Sequence, residues 1–278
     1  TLGSGTDSWK YWAELRAGNI DEKVRHAITK LAHLHFPATA RSKEYVVKMG
    51  EDSRNVYQVG CPSIDLLVDN DLSLKNNTFS NYSCVGGNIN INKPYIVVVQ
   101  HPVTTEYGMA GSQVIETLKA VKKIAQEGTQ VVWLWPNIDS GSDDISKEIR
   151  NFREVNGDLQ YITFYKNFSP LDYARIINNA KCLLGNSSSG IRESAFLGLA
   201  TVNIGNRQKD RERSSNVIDV DHDSTKIYEA LKYQIKYGRY KKSKLFGAGG
   251  SGDKIAEILF KVDININKRL NYLDENIK

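Results

Sequence analysis

Cysteine is scarce in this chain. The three cysteines, Cys61, Cys84 and Cys182, show no metal-ligand spacing. An odd, sparse set argues against a disulfide framework and fits a reducing compartment. Long apolar runs are lacking as well, since none approaches the roughly 18–20 residues of a membrane helix. Residues 1–10 have no apolar core of the kind a signal peptide needs. The expected location is therefore cytoplasmic, with no membrane partner. A charge excess of one sign is also missing: 37 basic side chains face 32 acidic ones, for a net charge of +5. That balance does not indicate nucleic acid, and it suits an anionic small ligand. What remains is ordinary globular composition, 40% hydrophobic and 25% charged over 278 residues, enough for two modest domains or one large one.

The chain starts with a polar, Gly/Ser-rich stretch, residues 1–10, that reads as loop. Helical spacing of Val24, Ile28, Leu31 and Leu34 predicts a helix from Ile20 to Leu34, with Asn19 as its cap. Phe36 to Thr39 and Val56 to Val59 read as short strands. Helices are expected from Ser42 to Met49 and from Pro62 to Val68. Residues 69–93 are rich in Asn and Ser and lack periodicity, which predicts a linker and places the domain boundary near residue 92. Strict alternation follows. Strands are expected at 95–100, 129–135, 159–164, 181–184 and 200–204. Helices are expected at 112–126, 143–155, 171–179 and 190–197. Such alternation predicts an α/β fold with a parallel sheet covered by helices. Thr225 to Tyr237 and Lys254 to Val262 read as closing helices, and the Asn- and Lys-rich tail beyond Asp263 reads as disordered. The expected domains are 1–92 and 93–278.

In a parallel α/β sheet, ligands bind in the loops beyond the carboxyl ends of the strands. The loop Gly185-Asn186-Ser187-Ser188-Ser189-Gly190 joins a buried strand to a helix. Small residues let a ligand approach the backbone, and hydroxyls with free amide groups favour an anion. The alternative is a Ser/Gly-rich turn with Ser189 as an N-cap. Glu193, one turn into the expected helix, suits either ribose hydroxyls or a solvated first turn. His101 ends the buried strand in HPVTTE, where an acid, a base, a phosphate contact and a structural histidine are all open readings. Asn137 lies in the strand-to-helix loop at 136–141. Arg207 and Arg211, in the charged stretch at 206–213, are spaced to face one way if that stretch is helical, as phosphate contacts or as a solvated run. Asp21 and Arg25 have the spacing of an ordinary helix ion pair.

Five segments, in this order, resemble the UDP-N-acetylglucosamine 2-epimerase family: GNIDEKVRHAITKLAHLHF, VVQHPVTTE, WPNIDSGS, GNSSSGIRESAFLG and NIGNRQKDRE. HPVTT, PNIDSGS and GNSSSGIRE look most like its hydrolysing branch, which converts UDP-GlcNAc and water to N-acetylmannosamine and UDP for sialic-acid or related nonulosonate synthesis. The resemblance implies two Rossmann-like domains of the B-type glycosyltransferase kind, the N-terminal one incomplete here. It implies a UDP-sugar as partner, a homo-oligomer, and no metal or redox cofactor. Carried over by motif, Ser187 and Ser188 match the diphosphate cradle, and Glu193 matches the ribose-binding carboxylate. Arg207 and Asn137 match nucleotide-side residues. His101 matches a histidine that assists departure of UDP, and Asp21 matches an acidic acid/base candidate facing the sugar.

The match begins at Gly18, without the family's preceding strands, early basic motif and further sugar-facing residues. The resemblance therefore implies an N-terminally truncated chain, or one completed by a partner, and weak or absent turnover by the chain alone. Rival readings are a silent UDP-sugar-binding remnant, a non-hydrolysing epimerase making UDP-ManNAc, and a B-type glycosyltransferase.

Overall fold

The apolar run Tyr95–Val99 forms a strand whose five residues are all buried, as expected where helices cover both faces of a sheet. This is β2 of a computed structural model that describes residues 20–137, 139–157, 160–264, 267–269 and 271, with only the backbone of residues 20–23. The chain divides into two compact units. One comprises residues 1–69, 210–212 and 244–278, and the other residues 70–209 and 213–243.

The second unit holds a seven-stranded sheet in the order β1-β4-β3-β2-β5-β6-β7. Its strands are β1 (Cys84–Gly86), β2, β3 (Gln130–Leu134), β4 (Ile162–Tyr165), β5 (Cys182–Gly185), β6 (Thr201–Ile204) and β7 (Val217–Val220). From β4 across to β7 every pairing is parallel, while β1 runs antiparallel to β4. From β2 the chain winds outward through β3 and β4; from β5 it winds the other way through β6 and β7. The two neighbours β2 and β5 therefore flank the point where strand order reverses, which is where such sheets form a ligand crevice.

The helices of this unit are α4 (Ala110–Gln126), α5 (Ser142–Asn156), α6 (Pro170–Asn179), α7 (Glu193–Leu197) and α8 (Ser224–Tyr237). Val114, Leu118, Val121 and Ile124 of α4 fall at i, i+4, i+7 and i+10, one helical stripe. That stripe joins Ile96, Val98, Trp133, Ile149, Leu184 and Leu231 in the main core. α6 starts at Pro170, where the Ser169 hydroxyl accepts from the Asp172 amide, the arrangement expected of an N-cap followed by proline.

The first unit contains α1 (Ile20–Leu31), α2 (Ala40–Lys48), α3 (Pro62–Val68) and α9 (Ser251–Lys261). Thr39 caps α2 through the Ser42 amide. The Asp65 carboxylate accepts from the amides of Ser251 at 3.0 Å and Gly252 at 2.8 Å, the free donors at the start of α9. Glu51 is 3% exposed and is held by His35 at 3.0 Å, Lys30 at 3.1 Å and Lys268 at 2.7 Å. Burial pushes its pKa up, but the lysine hydrogen bonds outweigh this and hold it below the usual carboxylate range.

Several expectations need correction. Residues 36–39 and 56–59 do not form strands; a single parallel bridge joins Val56 to His35, just before the first stretch. Pro37 has no amide hydrogen to extend a ladder. The stretch expected as linker contains β1, and the division falls after Asp69 rather than near residue 92. β1 is only three residues long and exposed throughout, too short to show a periodic signature, and it owes its form to pairing with β4. β7 escaped the sequence reading because its burial is only partial. α9 belongs with α3 in the first unit rather than closing the second. Part of the tail beyond Asp263 is anchored, since the Lys268 ammonium also donates to the Thr29 carbonyl at 2.7 Å. No described helix is long and apolar enough to cross a membrane.

Candidate functional site

Gly185 ends β5 with φ +128°, and a Cβ there would meet the Val99 carbonyl oxygen at 2.0 Å. Only glycine allows β5 to approach β2 so closely at the reversal point. The next residue, Asn186, is fully buried. Its amide donates to the Val99 carbonyl at 3.1 Å, continuing the strand pairing by one rung. Its side chain then does what a further strand residue would do. Oδ1 accepts from the His101 amide at 2.7 Å, and Nδ2 donates to the His101 carbonyl at 2.8 Å. The Asn186 carbonyl in turn accepts from Gln208 Nε2 at 2.7 Å and Arg207 Nη1 at 3.1 Å. One residue thus ties together the loops that follow β2, β5 and β6.

His101 is 7% exposed. Its Nδ1 lies 3.2 Å from the backbone amide of Asn137. An amide can only donate, so Nδ1 carries the lone pair and the proton sits on Nε2. Burial, reinforced by the nearby Arg207 guanidinium, pushes the pKa of His101 down to about 3. The group is therefore a neutral imidazole whose Nε2 is a hydrogen-bond donor. Asn137 reaches this arrangement through its backbone, and its side chain is exposed.

The serine loop differs from expectation in one respect. Ser188–Gly190 form a single 3-10 turn, and α7 begins only at Glu193 and lasts five residues. Glu193 is thus the first helical residue rather than one turn in, and a helix this short supplies little macrodipole. The donors here are hydroxyls. Ser187 Oγ accepts from the Ser189 amide and lies 3.0 Å from Ser189 Oγ. The Glu193 side chain is 13% exposed, and its Oε2 is buried without a hydrogen-bond donor. The stretch that holds Arg207 and Arg211 is not helical, so the helical spacing that would align them does not apply. A turn at Asn206–Lys209 and a left-handed Asp210, φ +63°, interrupt the stretch, and Arg211 falls in the other unit.

The structure therefore brings His101, the Asn137 backbone, Ser187, Ser188, Glu193 and Arg207 to the same end of one sheet. The side chain of Asp21 lies outside the described residues. Sequence reasoning missed Asn186 as a connector. Its partner His101 is 85 residues away, and no local pattern announces the pairing.

Two buried histidines make stability sensitive to acid. Burial pushes His35 down to about 4, against the pull of Glu51, as it pushes His101 down to about 3. In the unfolded chain both return to about 6.5. As pH falls below that value the unfolded state takes up protons first, so stability is retained above about 6.5 and declines toward the folded values. Urea unfolding at pH 5 is expected to show about 1–2 kcal/mol less stability per histidine than at pH 7, with a smaller loss in a His35→Gln variant. Equal stability at the two pH values would contradict the assignment.

Comparison with known proteins agrees with this architecture. A family model described as UDP-N-acetylglucosamine 2-epimerase matches residues 13–260. The chain is 32% identical over 250 residues to a UDP-N,N'-diacetylbacillosamine 2-epimerase (hydrolyzing) of Legionella pneumophila, a match covering 90% of this chain and 63% of that protein. It is 33% identical over 219 residues to polysialic acid biosynthesis protein P7 of Escherichia coli, covering 78% and 53% respectively. Among solved structures, the UDP-GlcNAc 2-epimerase of Methanocaldococcus jannaschii, in complex with UDP-GlcNAc and UDP, superposes with a TM-score of 0.68 at 15% identity, covering 90% of this chain and 67% of that one. The chain thus spans less than two thirds of the length of both curated relatives.

Proposed function

This chain belongs to the UDP-N-acetylglucosamine 2-epimerase family, and on that premise we propose that it acts as a hydrolysing epimerase. It would convert UDP-GlcNAc, or a close relative such as a diacetylated bacillosamine derivative, to the 2-epimeric free sugar and UDP. The observation that carries this reading is the junction at Asn186, where His101, the serine loop and Arg207 converge at the point of strand reversal. The hydrolysing branch is supported by the name of the Legionella relative, and a place in sialic-acid or related biosynthesis by that of the polysialic acid protein.

In this scheme the diphosphate rests on the Ser187 and Ser188 hydroxyls, with Arg207 on the nucleotide side and Asn137 lining the nucleotide pocket. Glu193 accepts from the ribose hydroxyls, which would satisfy a buried carboxylate oxygen that now lacks a donor. A base, for which Asp21 is the candidate, takes the C2 proton as the C1–O bond to UDP breaks, leaving 2-acetamidoglucal. Water then adds with inversion at C2. His101, neutral with its proton on Nε2, serves as a hydrogen-bond donor to the departing diphosphate rather than as a base. No step requires a metal or redox cofactor. The enzyme is further proposed to act as a homo-oligomer in the cytoplasm.

Product analysis by NMR tests the reading. Incubation with UDP-GlcNAc and with the diacetylbacillosamine nucleotide is expected to give UDP and the free epimerised sugar. Formation of UDP-ManNAc would instead assign the non-hydrolysing reaction. UDP binding without turnover of either substrate would reduce the chain to a nucleotide-sugar-binding module.

A further inference from the structure

The serine loop is backed by a buried cation that the reaction scheme does not use. Arg192 is 2% exposed. Its Nη2 donates to Ser188 Oγ at 2.8 Å, and its Nε lies 3.7 Å from Glu193 Oε2. A guanidinium has only donors. Ser188 Oγ is therefore the acceptor in this contact, and its own O–H is left to donate elsewhere.

A second chain of contacts reaches Ser187. The Tyr173 hydroxyl lies 2.6 Å from Ser189 Oγ, which lies 3.0 Å from Ser187 Oγ. Hydroxyls can pass hydrogen bonds in either direction. An acceptor outside the loop selects one direction: Tyr173 donates to Ser189, Ser189 to Ser187, and Ser187 outward. The Ser189 amide already donates to Ser187 Oγ, which favours the same orientation.

We infer that Arg192 is a positioning residue that, with Tyr173 behind Ser189, turns the hydroxyls of Ser187 and Ser188 outward as donors to the diphosphate of a nucleotide. The inference rests on reading this loop as the diphosphate site. Its physical content is twofold. Hydroxyls that already accept from behind keep their O–H free to donate toward the ligand, so the loop prefers an anion over a neutral or cationic group. A diphosphate seated on the serines also brings negative charge to a cation held in a low-dielectric interior, where it counts for more than at the surface.

The discriminating measurement is the ratio of affinities for UDP and for uridine, each obtained by NMR titration of the full chain. Uridine shares the base and ribose contacts but not the diphosphate. Arg192→Gln is expected to lower the UDP-to-uridine affinity ratio by about tenfold, and Tyr173→Phe by about threefold. A purely structural role would weaken both ligands in proportion and leave the ratio unchanged. That result, in a variant folded by circular dichroism, overturns the proposal. Should Arg192→Gln not fold, Arg192→Lys decides: it keeps the charge but not the fork, so the ratio is expected to fall by about threefold, and an unchanged ratio overturns the proposal. A wild-type chain that binds UDP no better than uridine overturns instead the diphosphate reading beneath it.

Discussion

His101→Ala is expected to lower the rate of UDP release from UDP-GlcNAc by about a hundredfold or more while changing UDP affinity only severalfold. The asymmetry follows from the geometry. His101 is held by backbone contacts to Asn186, at 2.7 and 2.8 Å, and by the Asn137 amide on Nδ1. Removing the ring leaves the backbone contacts in place, so the loop keeps its course and the serines keep theirs. What disappears is the Nε2 donor, whose value rises as charge builds on the leaving oxygen. His101→Gln, which can present an amide N–H in a similar place, is expected to recover part of the rate. Because the histidine is already neutral well below pH 5, the kcat/KM profile should show no inflection from it between about pH 5 and 8. Wild-type turnover in His101→Ala would remove the residue from the mechanism.

Asn186→Ala is expected to be the most damaging single change at the site. It removes both side-chain hydrogen bonds to His101 and leaves a buried amide and carbonyl without partners, a cost of about 1–3 kcal/mol for each group. The net loss should be about 2–4 kcal/mol in urea unfolding, a large share of a typical domain's stability. UDP affinity should fall by about tenfold or more, because the same residue's carbonyl receives Arg207 and Gln208. Asn186→Asp preserves the volume but sets a carboxylate oxygen against the His101 carbonyl. It is expected to be at least as destabilising, which separates the hydrogen bonds from simple packing. A variant within about 0.5 kcal/mol of wild type would show that the three loops are held by something else.

Much of the second unit was legible from the sequence because its signals are local. The run at 95–99 is apolar on every residue, and a strand that alternates with amphipathic helices has few alternatives to a parallel sheet. The serine loop was legible for a similar reason: small residues and hydroxyls stand between a strand and a helix. Elements without a local signature went unread. β1 is three exposed residues long, and β7 is only half-buried. Residues 36–39 carried a strand signature but form no strand; the one bridge nearby is at His35. α9 was visible as a helix, yet its allegiance was not, since that depends on Asp65 binding amides nearly 190 positions later.

The site divides along the same line. Residue type and loop position were determined by the sequence alone: His101 at a strand end, Ser187 and Ser188 before a helix, Arg207 in a charged loop. Only the tertiary structure decided what each can do. Strand order made β2 and β5 neighbours, which brought Asn186 to His101. Burial made that histidine neutral, and the Asn137 amide settled which nitrogen carries the proton. The same packing put Arg192 beneath Ser188. Periodicity encodes which face of a segment is apolar, but strand order and hydrogen-bond partners depend on contacts between residues tens of positions apart, and those are settled only when the chain folds.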